Sequence, residues 1–198
     1  MRRGHVLELG PAEGVMTELI APVAPSLTLV EGSARFCEDL ARRFPSATVV
    51  HSLFEDFSPS QTFDMIVLGH VLEHVADPVD VLRRARGWLS PSGAIFGAVP
   101  NARSLHRQAA VVMGLLDAED ALNELDIHHG HRRVFNPESF HQAFTAAGLE
   151  IEVFGGYFLK PVSNRQIEAS WTGEMVQAFM KLGERYPDIA GELYVVAR

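Results

Sequence analysis

His5-Val6-Leu7-Glu8-Leu9-Gly10-Pro11-Ala12-Glu13-Gly14, followed by Leu27-Thr28-Leu29-Val30-Glu31, decides the fold. The first stretch is a short buried strand running into a glycine turn, then a helix. The second is another apolar strand, and it ends in an acid. Such a unit is built to hold a nucleoside. Glycine lets backbone approach a ligand closely because no side chain stands in the way. An acid at the end of the second strand can accept hydrogen bonds from two vicinal ribose hydroxyls.

The turn narrows the ligand further. Dinucleotide binding calls for Gly-x-Gly-x-x-Gly before a helix N-terminus that takes the pyrophosphate. Here the pattern is Gly10-x-Ala12-x-Gly14, with the middle glycine missing and the last one a residue early. No Gly-x-x-x-x-Gly-Lys-Ser/Thr run exists, which excludes a P-loop. Glu8, two residues before Gly10, would repel phosphate and suits a cationic amino group. A nucleoside with an ammonium-bearing tail and no phosphate is S-adenosylmethionine.

Glu8-Leu9-Gly10-Pro11-Ala12-Glu13-Gly14 resembles motif I of the class I S-adenosylmethionine-dependent methyltransferases, with Ala12 where that family usually has glycine. Phe63-Asp64-Met65-Ile66-Val67-Leu68-Gly69-His70-Val71-Leu72-Glu73-His74-Val75 looks like the family's segment after the fourth strand. Leu89-Ser90-Pro91-Ser92-Gly93-Ala94 resembles its turn before the fifth. Gly130-His131-Arg132-Arg133-Val134-Phe135-Asn136-Pro137-Glu138-Ser139-Phe140, then Ala147-Gly148-Leu149, is similar to a segment of the ubiquinone-biosynthesis-like subgroup, which acts mostly on small molecules. The resemblance covers roughly residues 5 to 155. It implies a Rossmann-like fold with a mostly parallel seven-stranded sheet and helices on both faces. The implied cofactor is S-adenosylmethionine, with S-adenosylhomocysteine as product.

Composition sets the bounds. A chain of 198 residues, 47% hydrophobic, is expected to form one α/β domain over 1–198 with a sizeable core. The net charge of −8 and the absence of a basic run disfavour nucleic acid as partner. The lone Cys37 fits a reducing cytoplasm, and its place in an amphipathic helical pattern makes it a core residue before a nucleophile. Met1-Arg2-Arg3 is basic, but no long apolar segment follows, so no signal peptide is expected. No run is long enough for a membrane span.

Strand-like and helix-like stretches alternate along the chain. Strands are expected at Val6–Leu9, Leu27–Glu31, Ala47–His51, Phe63–Leu68, Ala94–Val99, Leu149–Phe154 and Glu192–Ala197, with Gly155-Gly156 ending the sixth. Helices are expected at Gly14–Ala21, Ala34–Phe44, Pro78–Leu89, Ser104–Leu116, Pro137–Ala147 and Ala169–Glu184, the last interrupted near Gly173. Asn136 should cap the helix at Pro137, with Glu138 in its first turn. Ser90-Pro91-Ser92-Gly93 should be a turn. Residues 102–133 look like an insertion or lid over the sheet edge.

Ligands of open α/β sheets bind beyond the carboxyl ends of the strands, so the loops there supply the candidate site. By the resemblance, Glu8, Gly10, Pro11, Ala12 and Gly14 pass under the methionine part and ribose, and Glu31 with Gly32 holds the ribose. Ser52 stands where the family often has the acid that binds the adenine amino group, and Leu53 and Phe54 wall the adenine. Gly69 and His70 lie by the methyl group, and His74 anchors a water or the methionine carboxylate. Each has a plainer reading: Glu31 as a solvated strand-end acid, Glu73 and His74 as capping groups, and Trp171, Phe158 and Tyr157 as core rather than substrate pocket.

Methyl transfer asks the protein mainly to align a nucleophile with the methyl group, and an oxygen nucleophile gains from a base of near-neutral pKa. Candidates for that base are His70, His131 and His106, with His128 and His129 nearby. Asp126, His128 and His131 could converge on a metal, but their spacing matches no structural zinc pattern and no cysteine supports it, so no metal is expected. The family usually carries helices ahead of strand one that close over the ligands. Here strand one begins near residue 5, so either the start is truncated, or 102–133 and a partner subunit form the lid, and a homodimer is compatible with that. The expected activity is methylation of a small-molecule acceptor such as a sugar, phenol or other secondary metabolite, on oxygen before nitrogen or carbon. The alternative is a non-catalytic methyltransferase-like binding or partner subunit.

Overall fold

The structure, a computed structural model, describes residues 4–198, so the basic Met1-Arg2-Arg3 lies outside the described residues. The chain opens with β1 (His5–Leu9), α1 (Val15–Ile20), β2 (Ser26–Glu31), α2 (Ala34–Arg43), β3 (Thr48–His51), β4 (Phe63–Gly69), α3 (Pro78–Gly87) and β5 (Leu89–Pro100). Then follow α4 (Leu105–Val112), α5 (Glu124–His128), α6 (Pro137–Ala146), β6 (Ile151–Tyr157), α7 (Asn164–Ser170), α8 (Gly173–Arg185) and β7 (Glu192–Ala197). A 3₁₀ turn, Pro187–Ile189, precedes β7.

All seven strands form one sheet in the order β3-β2-β1-β4-β5-β7-β6. β1 to β5 pair in parallel. β7 enters antiparallel between β5 and β6. The central strands β1, β2 and β4 are largely buried on both faces, so alternate residues feed two cores. On one face Leu7, Leu9, Ile66, Leu68, Ile95 and Val99 meet Val81, Leu82 and Ala85 of α3 and Phe140, Ala143 and Phe144 of α6. On the other, Val6, Leu27, Leu29 and Val67 meet Ile20 of α1 and Leu40 of α2.

Helix starts follow local chemistry. Asp77 accepts from Val79 N and Asp80 N, with Pro78 at the first helical position. Asn136 caps α6, and Ser139 completes the reciprocal capping pair.

Two expectations about β structure need correction. Ser90-Pro91-Ser92-Gly93 is not a turn ahead of strand five but an excursion inside the longer β5. Phe63 pairs with Leu89 and Met65 with Ala94, which leaves residues 90–93 bulging opposite Asp64. Gly155-Gly156 does not end the sixth strand. β6 runs through both glycines to Tyr157 by pairing with β7, and the glycines serve close packing: a Cβ on Gly155 would sit 2.6 Å from the Tyr194 ring and one on Gly156 2.8 Å from Ala190. Helical structure in 102–133 is also less than expected toward 116 and more beyond it. α4 stops at Val112, and α5 adds a short helix where the local pattern predicts none.

Candidate functional site

The chain runs from β1 to β3 toward one edge of the sheet, then returns to β4 beside β1. The crevice at the carboxyl ends of β1 and β4 is therefore the switch point where open α/β sheets bind ligands. A cleft of about 690 Å³ opens there. Its lining joins Glu8, Gly10, Pro11 and Ala12 from the β1 exit with Gly69, His70, Glu73 and His74 from the β4 exit. Val15, Met16 and Leu19 of α1 line it on one side, and Tyr157, Met180, His129 and His131 on another.

The β1 exit turns through left-handed backbone at Gly10 (φ 64°), Ala12 (φ 47°) and Gly14 (φ 75°). A Cβ on Gly10 would stand 3.0 Å from Val71 and 3.3 Å from the Phe54 ring, so the turn needs glycine for space as well as conformation. Ala12 holds a similar conformation with a methyl group, a modest strain.

Glu8 is buried, and its carboxylate accepts one hydrogen bond, from Thr17 Oγ1 at 2.7 Å. Burial outweighs that bond and lifts its pKa to about 7. Glu31 is buried beside the same turn, its two oxygens accepting from Ala12 N (3.1 Å) and Ser33 N (2.8 Å). Each oxygen keeps a lone pair for a further donor. Leu53 lies over Gly32 and Phe54 over Gly10. The Leu53 side chain is exposed beside the turn. Ser52 Oγ donates to its neighbour Leu53 O. Glu31, Gly32, Ser52, Leu53 and Phe54 stand next to the cleft lining rather than in it.

His70 directly follows β4 with φ 56°, a conformation uncommon for a residue with a side chain, and its N–H donates to Ala98 O at 2.9 Å. Its Nδ1 lies 3.3 Å from Glu73 Oε1 and its Nε2 3.7 Å from Glu192 Oε2. Burial opposes its charged form, but the pairing with Glu73 and the charge of Glu192 override it and raise the pKa. Burial raises the pKa of Glu192 and of Tyr157. The His131 pKa is lowered, chiefly by burial.

Of the three histidines expected as base, His70 and His131 reach the cleft. His106 is placed apart from it, on α4, where its backbone N–H donates to Lys160 O, and burial with the neighbouring Lys160 and Arg107 charges lowers its pKa to about 4. Tyr157 lines the cleft, while Trp171 instead packs on Phe179. The Asp126–His128–His131 grouping does not form as a set. His131 lies 3.4 Å from Asp126, but His128 is exposed.

Sequence reasoning missed Glu192 and the apolar mouth formed by Val15, Leu19 and Met180. Glu192 opens β7 opposite Pro100 and Tyr157, and only an acid at the head of an apolar strand could have marked it.

A family profile described as a methyltransferase domain matches residues 2–152. The ubiquinone biosynthesis O-methyltransferase of Rhizobium leguminosarum bv. trifolii (strain WSM2304) is 28% identical over 168 residues, covering 81% of this chain and 65% of that protein. The chain thus spans just under two thirds of that relative. The protein of the same name from Rhizobium etli (strain CIAT 652) is 27% identical over 188 residues, covering 91% of this chain and 73% of the relative. Among solved structures, an S-adenosylmethionine-dependent methyltransferase from Mesorhizobium loti superposes with a TM-score of 0.70 at 16% identity, covering 99% of this chain and 91% of that one. The plantazolicin methyltransferase BpumL, solved with a triazolic desmethylPZN analog and SAH, does so with a TM-score of 0.65 at 17% identity, over 98% and 75%. Identities this low establish the shared fold.

Proposed function

The chain belongs to the methyltransferase-domain family, and from that premise we propose that it transfers the methyl group of S-adenosylmethionine to a small-molecule acceptor, on oxygen in preference to nitrogen or carbon. One observation carries the reading: the Gly10–Gly14 turn with buried Glu8 faces the same cleft as His70 and Glu73. A nucleoside with a cationic tail therefore has its holder on one wall, and an acceptor has its base on the other.

The residues present fit this cofactor. Glu8 offers a buried carboxylate with a single partner to the ammonium group. Glu31 and Gly32 take the ribose, and the apolar surfaces of Leu53 and Phe54 take the adenine. Backbone at Gly10, Pro11, Ala12 and Gly14 lies close under the ligand because the turn has almost no side-chain bulk. When bound, the sulfonium supplies a methyl group already attached to its leaving group, so the protein's task is alignment. Gly69 and His70, at the β4 exit, face the reacting end. Glu73, 3.3 Å from Nδ1, orients the His70 ring, and His70 takes the acceptor's proton at Nε2.

The relatives' printed name, an O-methyltransferase, supports oxygen, and a cleft of about 690 Å³ suits a small molecule. One detail favours the second reading, a non-catalytic subunit: Ser52 is turned onto its own neighbour and offers adenine no carboxylate.

Turnover of methyl-labelled S-adenosylmethionine against phenols, sugars and carboxylic acids separates the two. His70→Ala should lower kcat at least about 100-fold and shift S-adenosylhomocysteine affinity far less. A parallel loss of both, or undiminished turnover, removes His70 as the base. Cofactor binding with no turnover on any class would support the subunit reading.

A further inference from the structure

Residues 112–127, from the end of α4 into α5, gather apolar and acidic side chains on one surface. Seven of these sixteen residues are large and apolar, five are Asp or Glu, and none is Lys or Arg. Val112 is 88% exposed, Leu115 73% and Ile127 63%, and Met113, Leu122 and Leu125 also face solvent. A water-facing surface ordinarily scatters its apolar side chains singly, so a cluster this dense marks a contact.

The stretch is held firmly in that pose. Gly114, at φ 70°, ends α4, and Leu115 N donates to Ala110 O at 2.9 Å. Arg107 is buried, and its guanidinium donates to Glu119 O at 2.7 Å and to Ala121 O and pairs with Asp126 at 3.0 Å. All three partners lie in this one segment. Asn123 and Asp126 then cap α5 reciprocally. The apolar side chains thus stand outward on a fixed backbone.

Between the end of α4 and α5 lies a groove of about 600 Å³, with Leu115, Leu116, Leu122, Leu125 and Ile127 in its lining. Asp117, Asp120 and Glu124 are exposed in the same stretch, and among the described residues none of the three is in an ion pair. We propose that this groove docks an amphipathic helix of a partner protein, apolar along one face and flanked by lysine or arginine.

Charge selects this occupant. Anionic lipid attracts basic segments and repels a surface whose exposed charges are carboxylates. A second copy meeting this face with its own would set the same carboxylates against each other. A cationic helix gains from them, in its approach and at the rim of the contact. No strand lies in this stretch, so an incoming segment finds no ladder to extend. A groove lined by leucines takes instead the apolar anchors that recur every three to four residues along one helix face. α5 leads directly into His129 and His131, which line the cleft, so the docked helix stands beside that wall of the cleft.

Nothing in this docking requires methyl transfer, so binding alone tests it, on the full chain. The probe is a fluorescein-labelled peptide of about 14 leucine and lysine residues patterned as an amphipathic helix, read by fluorescence anisotropy. Wild type should bind it in the micromolar range, more weakly as salt rises. Leu115→Gln and Leu125→Gln, at exposed positions, should each weaken binding at least about tenfold. Asp117→Asn combined with Glu124→Gln should weaken it at least about threefold. Val23→Gln, at an exposed valine outside the groove, should leave it unchanged. A peptide with glutamate in place of lysine should not bind. Absent binding, equal binding of the glutamate peptide, or an equal loss in Val23→Gln overturns the proposal. So does wild type, but not Leu125→Gln, floating with phosphatidylglycerol vesicles or sedimenting as a dimer, since lipid or a second copy then fills the groove.

Discussion

Glu8 shows most directly how burial of a single residue couples stability to pH. Unfolded, its carboxyl titrates near 4.5, and folded, near 7. Between those values the folded chain keeps a proton that the unfolded chain has released. Stability therefore falls as pH rises through that window, and the contribution is gone above about 7. The full swing is on the order of 3 kcal/mol. Glu8→Gln keeps an acceptor for Thr17 and removes the titration. It should be more stable than wild type at pH 8 by up to about 3 kcal/mol and nearly equal at pH 4, by urea denaturation at both values. A constant difference across pH would mean that Glu8 is not held protonated. Glu8 was legible in the sequence because an acid inside an apolar strand end has few other uses. So was His70, from its place after β4. Glu192 was not, because its meeting with His70 depends on a strand from the far end of the chain.

At the level of elements, the cleft wall depends on how closely α8 lies on β6. A Cβ on Gly183 would come within 2.3 Å of Phe158 N and 2.4 Å of Tyr157 C, so only glycine permits that approach. Gly183→Ala should destabilise the protein by about 1–3 kcal/mol and disturb the wall that Tyr157 and Met180 supply. Gly173→Ala, where no atom lies within 4 Å, should be neutral or slightly stabilising. Equal midpoints for the two variants in thermal unfolding would contradict this account of the packing. The same close packing explains what the sequence concealed. Gly155-Gly156 resembles a strand end until Tyr194 and Ala190 are seen to occupy the space of their missing side chains. Pro91 and Gly93 resemble a turn until β4 and β5 pair on both sides of them. Capped helices were easier, since Asn136-Pro137 and Asp77-Pro78 carry their start signals in neighbouring residues.

For the whole molecule, alternating strands and helices with apolar strands buried on both faces dictate a doubly covered sheet. The order of those strands places β1 and β4 side by side with their exits facing one cleft. The parallel half was readable because each strand and its following helix are neighbours in sequence. The antiparallel insertion of β7, which completes the cleft with Glu192, follows from long-range pairing that no local pattern encodes. Among the described residues no helix is long and apolar enough to cross a membrane. The central claim is that this crevice holds a nucleoside with a cationic tail and no pyrophosphate. Calorimetric titration with S-adenosylmethionine, S-adenosylhomocysteine and NAD, on wild type and Glu31→Ala, tests it most directly. The account predicts micromolar binding of the first two, none of NAD, and a roughly 10- to 100-fold loss in Glu31→Ala, the worth of two hydrogen bonds to a charged acceptor. NAD binding, or unchanged affinity in Glu31→Ala, would contradict it.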